Sequence, residues 1–100
     1  MNNPYGDTKE FFEPLILDEQ LYDELVVDYL TGQMVSHKPW LITFIKKNCV
    51  HCTRLKPKVE EVAHRMNKHF NVAFVFQSSE LLKETYQIKY FPSIFLLKEG

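Results

Sequence analysis

Apolar positions change their period along the chain, and each change marks an element. Phe12 to Leu17 is apolar enough for a short strand, although Pro14 limits it to a sheet edge or an irregular start. Asp18 offers a helix N-cap. Leu21, Tyr22, Leu25, Val26, Tyr29 and Leu30 then recur at helical spacing, and Gly32 closes that helix. Residues 33–38 read as a polar loop. Trp40 to Ile45 is apolar in all but Thr43, the pattern of a strand buried on both faces. A second helical stripe follows through Cys52, Leu55, Val59, Val62, Ala63, Met66 and Phe70. Lys56, Glu60, Glu61, Arg65 and Lys68 face water, Glu61 and Arg65 form an i,i+4 pair, and Pro57 should bend the axis. Val72 to Phe76 reads as a strand. Ser78 or Ser79 caps a short helix through Tyr86, and Ser93 to Leu97 is the last strand. The order is βαβαβαβ, which predicts an α/β fold with a sheet parallel at least in part. Residues 1–11 are expected to be a polar lead-in and residues 12–100 the domain.

Composition narrows the function. The chain has 100 residues, 45% of them apolar and 14% aromatic, so it holds one domain with a core to bury. Twelve Lys and Arg against thirteen Asp and Glu leave a net charge of −1, without the basic excess of a nucleic-acid binder. No apolar run approaches the roughly 20 residues of a membrane helix. Met1 to Asp7 carries no apolar run resembling a signal peptide, so if the protein is secreted its signal lies outside this chain.

The 2 cysteines, Cys49 and Cys52, enclose Val50 and His51 at the junction of the buried strand and the second helix. Too few for a disulfide scaffold, they read as a working pair. With Asn48 as the expected N-cap, Cys49 would be the first helical residue. The dipole and free N–H groups there favour a thiolate. Cys52 heads the buried stripe. Cys49 is therefore the expected nucleophile and Cys52 the shielded, resolving thiol. His51, Lys46 and Lys47 add positive or partly positive charge, the lysines with a modest, salt-dependent effect.

Two segments carry a family resemblance. Residues 40–57, WLITFIKKNCVHCTRLKP, resemble the active-site segment of the thioredoxin superfamily, and within it the thioredoxin-like domains of protein disulfide isomerases, which also carry His before the second cysteine. Residues 82–97, LKETYQIKYFPSIFLL, resemble that family's second signature. The resemblance implies a thioredoxin fold with a mixed central sheet flanked by helices. It implies thiol–disulfide exchange with cysteine-containing polypeptides, replenished by an external thiol/disulfide partner, with no metal or organic cofactor. Cys49, Cys52 and His51 would be catalytic, His51 making the pair more oxidising. Pro92 would be a cis-proline opposite the cysteines, and Val50, Tyr90 and Phe91 an apolar lip for substrate. The isomerase-like His51 points to the lumen of the endoplasmic reticulum or the secretory pathway, with the cytoplasm as the alternative.

The chain also departs from the family pattern. Asn48 stands where the family usually has Trp. Thr43 replaces a buried carboxylate, and Phe74 to Phe76 lack its lysine partner. Losing both charges together is self-consistent. It leaves nothing to deprotonate Cys52, so mixed disulfides should resolve slowly. The family also continues beyond a glycine like Gly100 into a further strand and helix. The natural protein is therefore expected to continue, or a partner to cover strand Ser93 to Leu97.

Two other readings compete. Cys49, Cys52, His64 and His69 approach a zinc-finger spacing, but the histidines lie about 140° apart around one helix, given 3.6 residues per turn. They read better as solvated. A thioredoxin-like binding or structural module with weak exchange is the second alternative, favoured by Thr43 and Asn48.

Overall fold

The structure, a computed structural model, describes residues 10–99. Most of the expected lead-in, residues 1–9, and Gly100 lie outside the described residues. Among those described, the elements are β1 (Leu15–Ile16), α1 (Glu19–Leu25), β2 (Trp40–Ile45), α2 (Val50–Arg65), β3 (Asn71–Phe76), α3 (Glu80–Thr85) and β4 (Ser93–Leu97). They form a four-stranded sheet in the order β1-β3-β2-β4. β1 and β2 run parallel to β3, and β4 runs antiparallel to β2, so the sheet is mixed.

The period of two along β2 divides the core. Trp40, Ile42 and Phe44 point to the layer of α1 and α3, where they join Leu25, Val26 and Leu82. Ile45 and half-buried Leu41 point the other way, to Val59, Ala63 and Cys52 of α2. Thr43 shares their side by alternation and is fully buried. Phe44, Tyr86 and Phe95 interlock on the first face, with ring centroids 5.1–5.9 Å apart. The Tyr22 and Tyr86 hydroxyls meet at 2.8 Å and tie α1 to the end of α3.

Local chemistry moves several boundaries from their expected places. β1 is only Leu15–Ile16, because Pro14 has no N–H to extend the ladder toward Phe12; just past the strand, the Leu17 N–H still donates to the Phe74 carbonyl at 2.9 Å. Asp18 caps α1 as expected, accepting from the Leu21 N–H at 2.9 Å. The helix does not run to Leu30, however. It stops at Leu25, and Tyr29 and Leu30 are 76% and 92% exposed. Asp28 accepts from the Leu30 N–H at 2.8 Å and so offers the backbone an alternative to the helix. Val27 and Met34 then bridge antiparallel, with Gly32 at φ 71° serving the turn. The second helix ends at Arg65, while Phe70 still packs against its cluster from the following loop.

Candidate dithiol site

Sheet register builds this site. Phe44, near the end of β2, pairs with Ser93, the first residue of antiparallel β4. The loop entering β4 therefore meets the loop leaving β2, which places Phe91 and Pro92 beside Cys49. The Phe91–Pro92 peptide is cis. The Cys49 sulfur lies 3.8 Å from the Phe91 carbonyl oxygen, to which its thiol donates.

Cys49 itself, not Asn48, is the N-cap of α2. Asn48 instead takes a left-handed conformation with φ 56° and turns the chain into the helix, a backbone region that Asn tolerates better than most residues. The Cys49 sulfur occupies the place of a capping oxygen and accepts from the Cys52 N–H at 3.2 Å. Thr53 closes the first turn, its N–H and its hydroxyl both reaching the Cys49 carbonyl at 3.0 Å.

The two sulfurs are electrostatically unlike. The Cys52 thiol, hydrogen-bonded to the Cys49 sulfur, holds Cys49 below the ordinary thiol range. Partial desolvation opposes this shift, while the main-chain N–H groups of Cys52 and His51 and the charge of Lys46 assist it. Burial pushes Cys52 up, as does its bond to Cys49, against the main chain and charge of Lys46. One sulfur is thus prepared to be a thiolate and the other to remain a thiol, which is the asymmetry that disulfide exchange needs.

The remaining expected residues gather around this pair. Val50 and Tyr90 are 63% and 77% exposed and flank it as apolar surface. Tyr90 is anchored through its carbonyl, which accepts from the Ser93 hydroxyl at 2.6 Å. Phe91 is half-buried and packs against both core clusters. His51 is exposed on the first turn of α2. His64 and His69 are not brought to the cysteines: the His64 ring meets Phe12, with centroids 6.2 Å apart, and His69 is exposed. Among the described residues no group of three or more His, Cys, Asp or Glu is arranged to hold a metal. No helix among them is long and apolar enough to cross a membrane.

Lys46 has a larger place than its sequence position suggests. Its ammonium stands over the Phe91 ring, 5.7 Å from the centroid, and its charge acts on both sulfurs. The available signal was its position immediately after β2, where the register brings Phe91 across. Thr43 is the other distinctive residue. Its hydroxyl is buried on the α2 face with no hydrogen-bond partner among the described residues.

Comparison with known proteins agrees with this architecture. A search among curated proteins gives no match. Among solved structures, the chain is similar to the Trx4 domain of ERdj5, with a TM-score of 0.74 at 20% identity, covering 88% of this chain and 72% of that one. It is similar to thioredoxin f from spinach chloroplast, with a TM-score of 0.74 at 18% identity, covering 89% of this chain and 69% of that one. It is also similar to the first thioredoxin domain of mouse protein disulfide-isomerase A4, with a TM-score of 0.70 at 23% identity, covering 90% of this chain and 61% of that one. The family model for thioredoxin matches residues 13–100. The chain has the thioredoxin fold and belongs to the thioredoxin family.

Proposed function

We propose that this chain is a thiol–disulfide oxidoreductase domain, resembling that of a protein disulfide isomerase, which exchanges disulfides with cysteine-containing polypeptides. The observation that carries the reading is the electrostatic asymmetry of the pair: both sulfurs are buried, at 8% and 3% exposure, but Cys49 takes the capping place and is held toward the thiolate while Cys52 is held toward the thiol. In the reducing direction the Cys49 thiolate attacks one sulfur of a client disulfide. A Cys49–client bond forms, and the client's other sulfur leaves as a thiolate that takes up a proton. Cys52 then loses its proton and attacks the Cys49 sulfur. The Cys49–Cys52 disulfide forms, and the second client sulfur leaves and is protonated. The client gains two electrons and the domain loses two; the reverse sequence oxidises a client. An external thiol/disulfide couple resets the pair.

The surrounding residues fit these steps. Val50, Tyr90 and Phe91 form the apolar lip that receives unfolded chain, with Pro92 fixing the loop that carries it. His51 favours the Cys49 thiolate and makes the pair more oxidising. The isomerase-like His51 supports a site of action in the endoplasmic reticulum lumen or secretory pathway, the cytoplasm being the alternative. Equilibration of the pair with glutathione buffers separates these, since about 30 mV corresponds to 1.4 kcal/mol. A relatively positive potential, falling in His51→Ala, supports the first; a strongly negative one supports the second.

The activity itself is tested by insulin reduction with dithiothreitol as donor. The reading predicts turnover that disappears in Cys49→Ser. Equal rates for the two proteins would leave only the fold, a binding module without exchange.

A further inference from the structure

Charge is strongly segregated around the dithiol. The site is built from two segments, residues 46–59 and 85–97. They hold Lys46, Lys47, Arg54, Lys56, Lys58 and Lys89, and none of the chain's 13 Asp and Glu. By contrast, residues 10–37, which include α1 on the opposite face of the sheet, hold carboxylates and no Lys or Arg. A net charge of −1 therefore conceals a cationic end at the dithiol.

Within the cationic end the geometry singles out certain side chains. The Lys46 ammonium stands 5.7 Å over the Phe91 ring, and the Phe91 carbonyl lies 3.8 Å from the Cys49 sulfur. Lys47 is two residues before Cys49. Arg54 shares a face of α2 with exposed Val50, four residues on. Lys89 is exposed two residues before Phe91. Lys56 leans away, over the Phe74 ring at 6.0 Å. Glu80 and Glu84 of α3 line a groove with Lys89 and Phe91, but Glu80 is already paired with Lys83 at 3.1 Å.

We propose that Lys46, Lys47, Arg54 and Lys89 make the dithiol selective for polypeptide disulfides whose cysteine is flanked by Asp or Glu. This rests on the oxidoreductase reading and specifies its substrate class. The chemistry is direct. An incoming chain lies against Val50, Tyr90 and Phe91, which recognise its backbone and apolar side chains without regard to sequence. Residues beside its cysteine then fall among the four cations. Carboxylates there are attracted during the encounter, and ammonium groups are repelled. All four cations are solvent-exposed, so the selection acts mainly on association and weakens with salt.

The test uses two synthetic peptides, each closed by one disulfide and identical except for Asp or Lys on both sides of the cysteines. Reduced chain is mixed with each, and the second-order rate of peptide reduction is measured. Each event moves two electrons from the Cys49–Cys52 dithiol to the peptide. The acidic peptide is expected to react roughly tenfold faster at low ionic strength, the lower end of electrostatic steering. The ratio should approach one at about 1 M salt, where the Debye length is about 3 Å. Lys89→Glu and Arg54→Glu should each shrink the low-salt ratio; because the ratio is read within one protein, any general loss of reactivity cancels. Equal rates for both peptides at low salt, or a ratio indifferent to salt and to both reversals, would overturn the charge selection and leave the oxidoreductase reading standing. Failure to reduce either peptide would overturn both.

Discussion

Cys49 and Cys52 differ through what each sulfur touches, not through distance along the helix. The Cys49 sulfur takes an N–H from Cys52 at 3.2 Å and lies within the reach of Lys46, while burial holds Cys52 as a thiol. In the reduced chain, iodoacetamide alkylation followed by mass spectrometry should therefore show Cys49 reacting with a midpoint below the ordinary thiol value of about 8.5, and Cys52 reacting above it. Overlapping profiles would contradict the assignment of roles. Thr43 gives a second prediction. A buried hydroxyl without a partner costs about 1–3 kcal/mol of desolvation, so Thr43→Val, which keeps the shape and removes the hydroxyl, should raise stability by about 1 kcal/mol in urea unfolding. A loss of stability would mean that the hydroxyl is satisfied in solution. The identity of both cysteines and the absence of a carboxylate at Thr43 were legible in the sequence. The charge of Lys46 was legible too, but its place over the Phe91 ring was not, because Phe91 arrives from residues far along the chain.

At the scale of elements, α2 begins on a sulfur. Serine has a better capping oxygen at nearly the same place, whereas alanine has nothing to accept the Cys52 N–H. Reduced Cys49→Ser should keep its stability to within about 0.5 kcal/mol, while Cys49→Ala should lose about 1 kcal/mol in the same urea experiment. Equal losses would show that the sulfur does not cap the helix. Elements set by strong periodicity or unambiguous caps read directly from the sequence: β2 at Trp40–Ile45, β4 at Ser93–Leu97, and the start of α1 at Asp18. Elements that end by local competition did not. Helical spacing continues through Tyr29 and Leu30, but Asp28 captures the backbone first. Asn48 resembles a cap in one dimension and Cys49 does not. Only the turn between β2 and α2, which needs a left-handed residue, decides between them.

The whole molecule is two unlike layers on one sheet. The α2 layer holds the two cysteines, and the α1/α3 layer is fastened by the Tyr22–Tyr86 hydroxyl pair. Burial pushes the Tyr22 phenol up, and burial together with the Tyr22 bond pushes Tyr86 up further. The phenols are then harder to ionise folded than unfolded. Their stabilisation is fully present below the unfolded value of about 10 and is lost as pH rises beyond it. Thermal melts should show stability falling above pH 10, and falling less steeply in Tyr86→Phe; identical slopes would contradict the coupling. On the α2 side, Ile94 and Leu96 of edge strand β4 remain 50% and 51% exposed. The expected covering of that strand, by further chain or by a partner, remains a proposal that rests on this exposure. The central proposal, that Cys49 forms a covalent bond with clients and Cys52 releases it, rests on the unlike surroundings of the two sulfurs. The most direct measurement is therefore trapping. Cys52→Ser should accumulate mixed disulfides with a denatured cysteine-containing protein, seen as adducts on non-reducing gels that vanish with dithiothreitol and are absent from Cys49→Ser/Cys52→Ser. No adducts in Cys52→Ser, or equal adducts when Cys49 is also removed, would contradict the account.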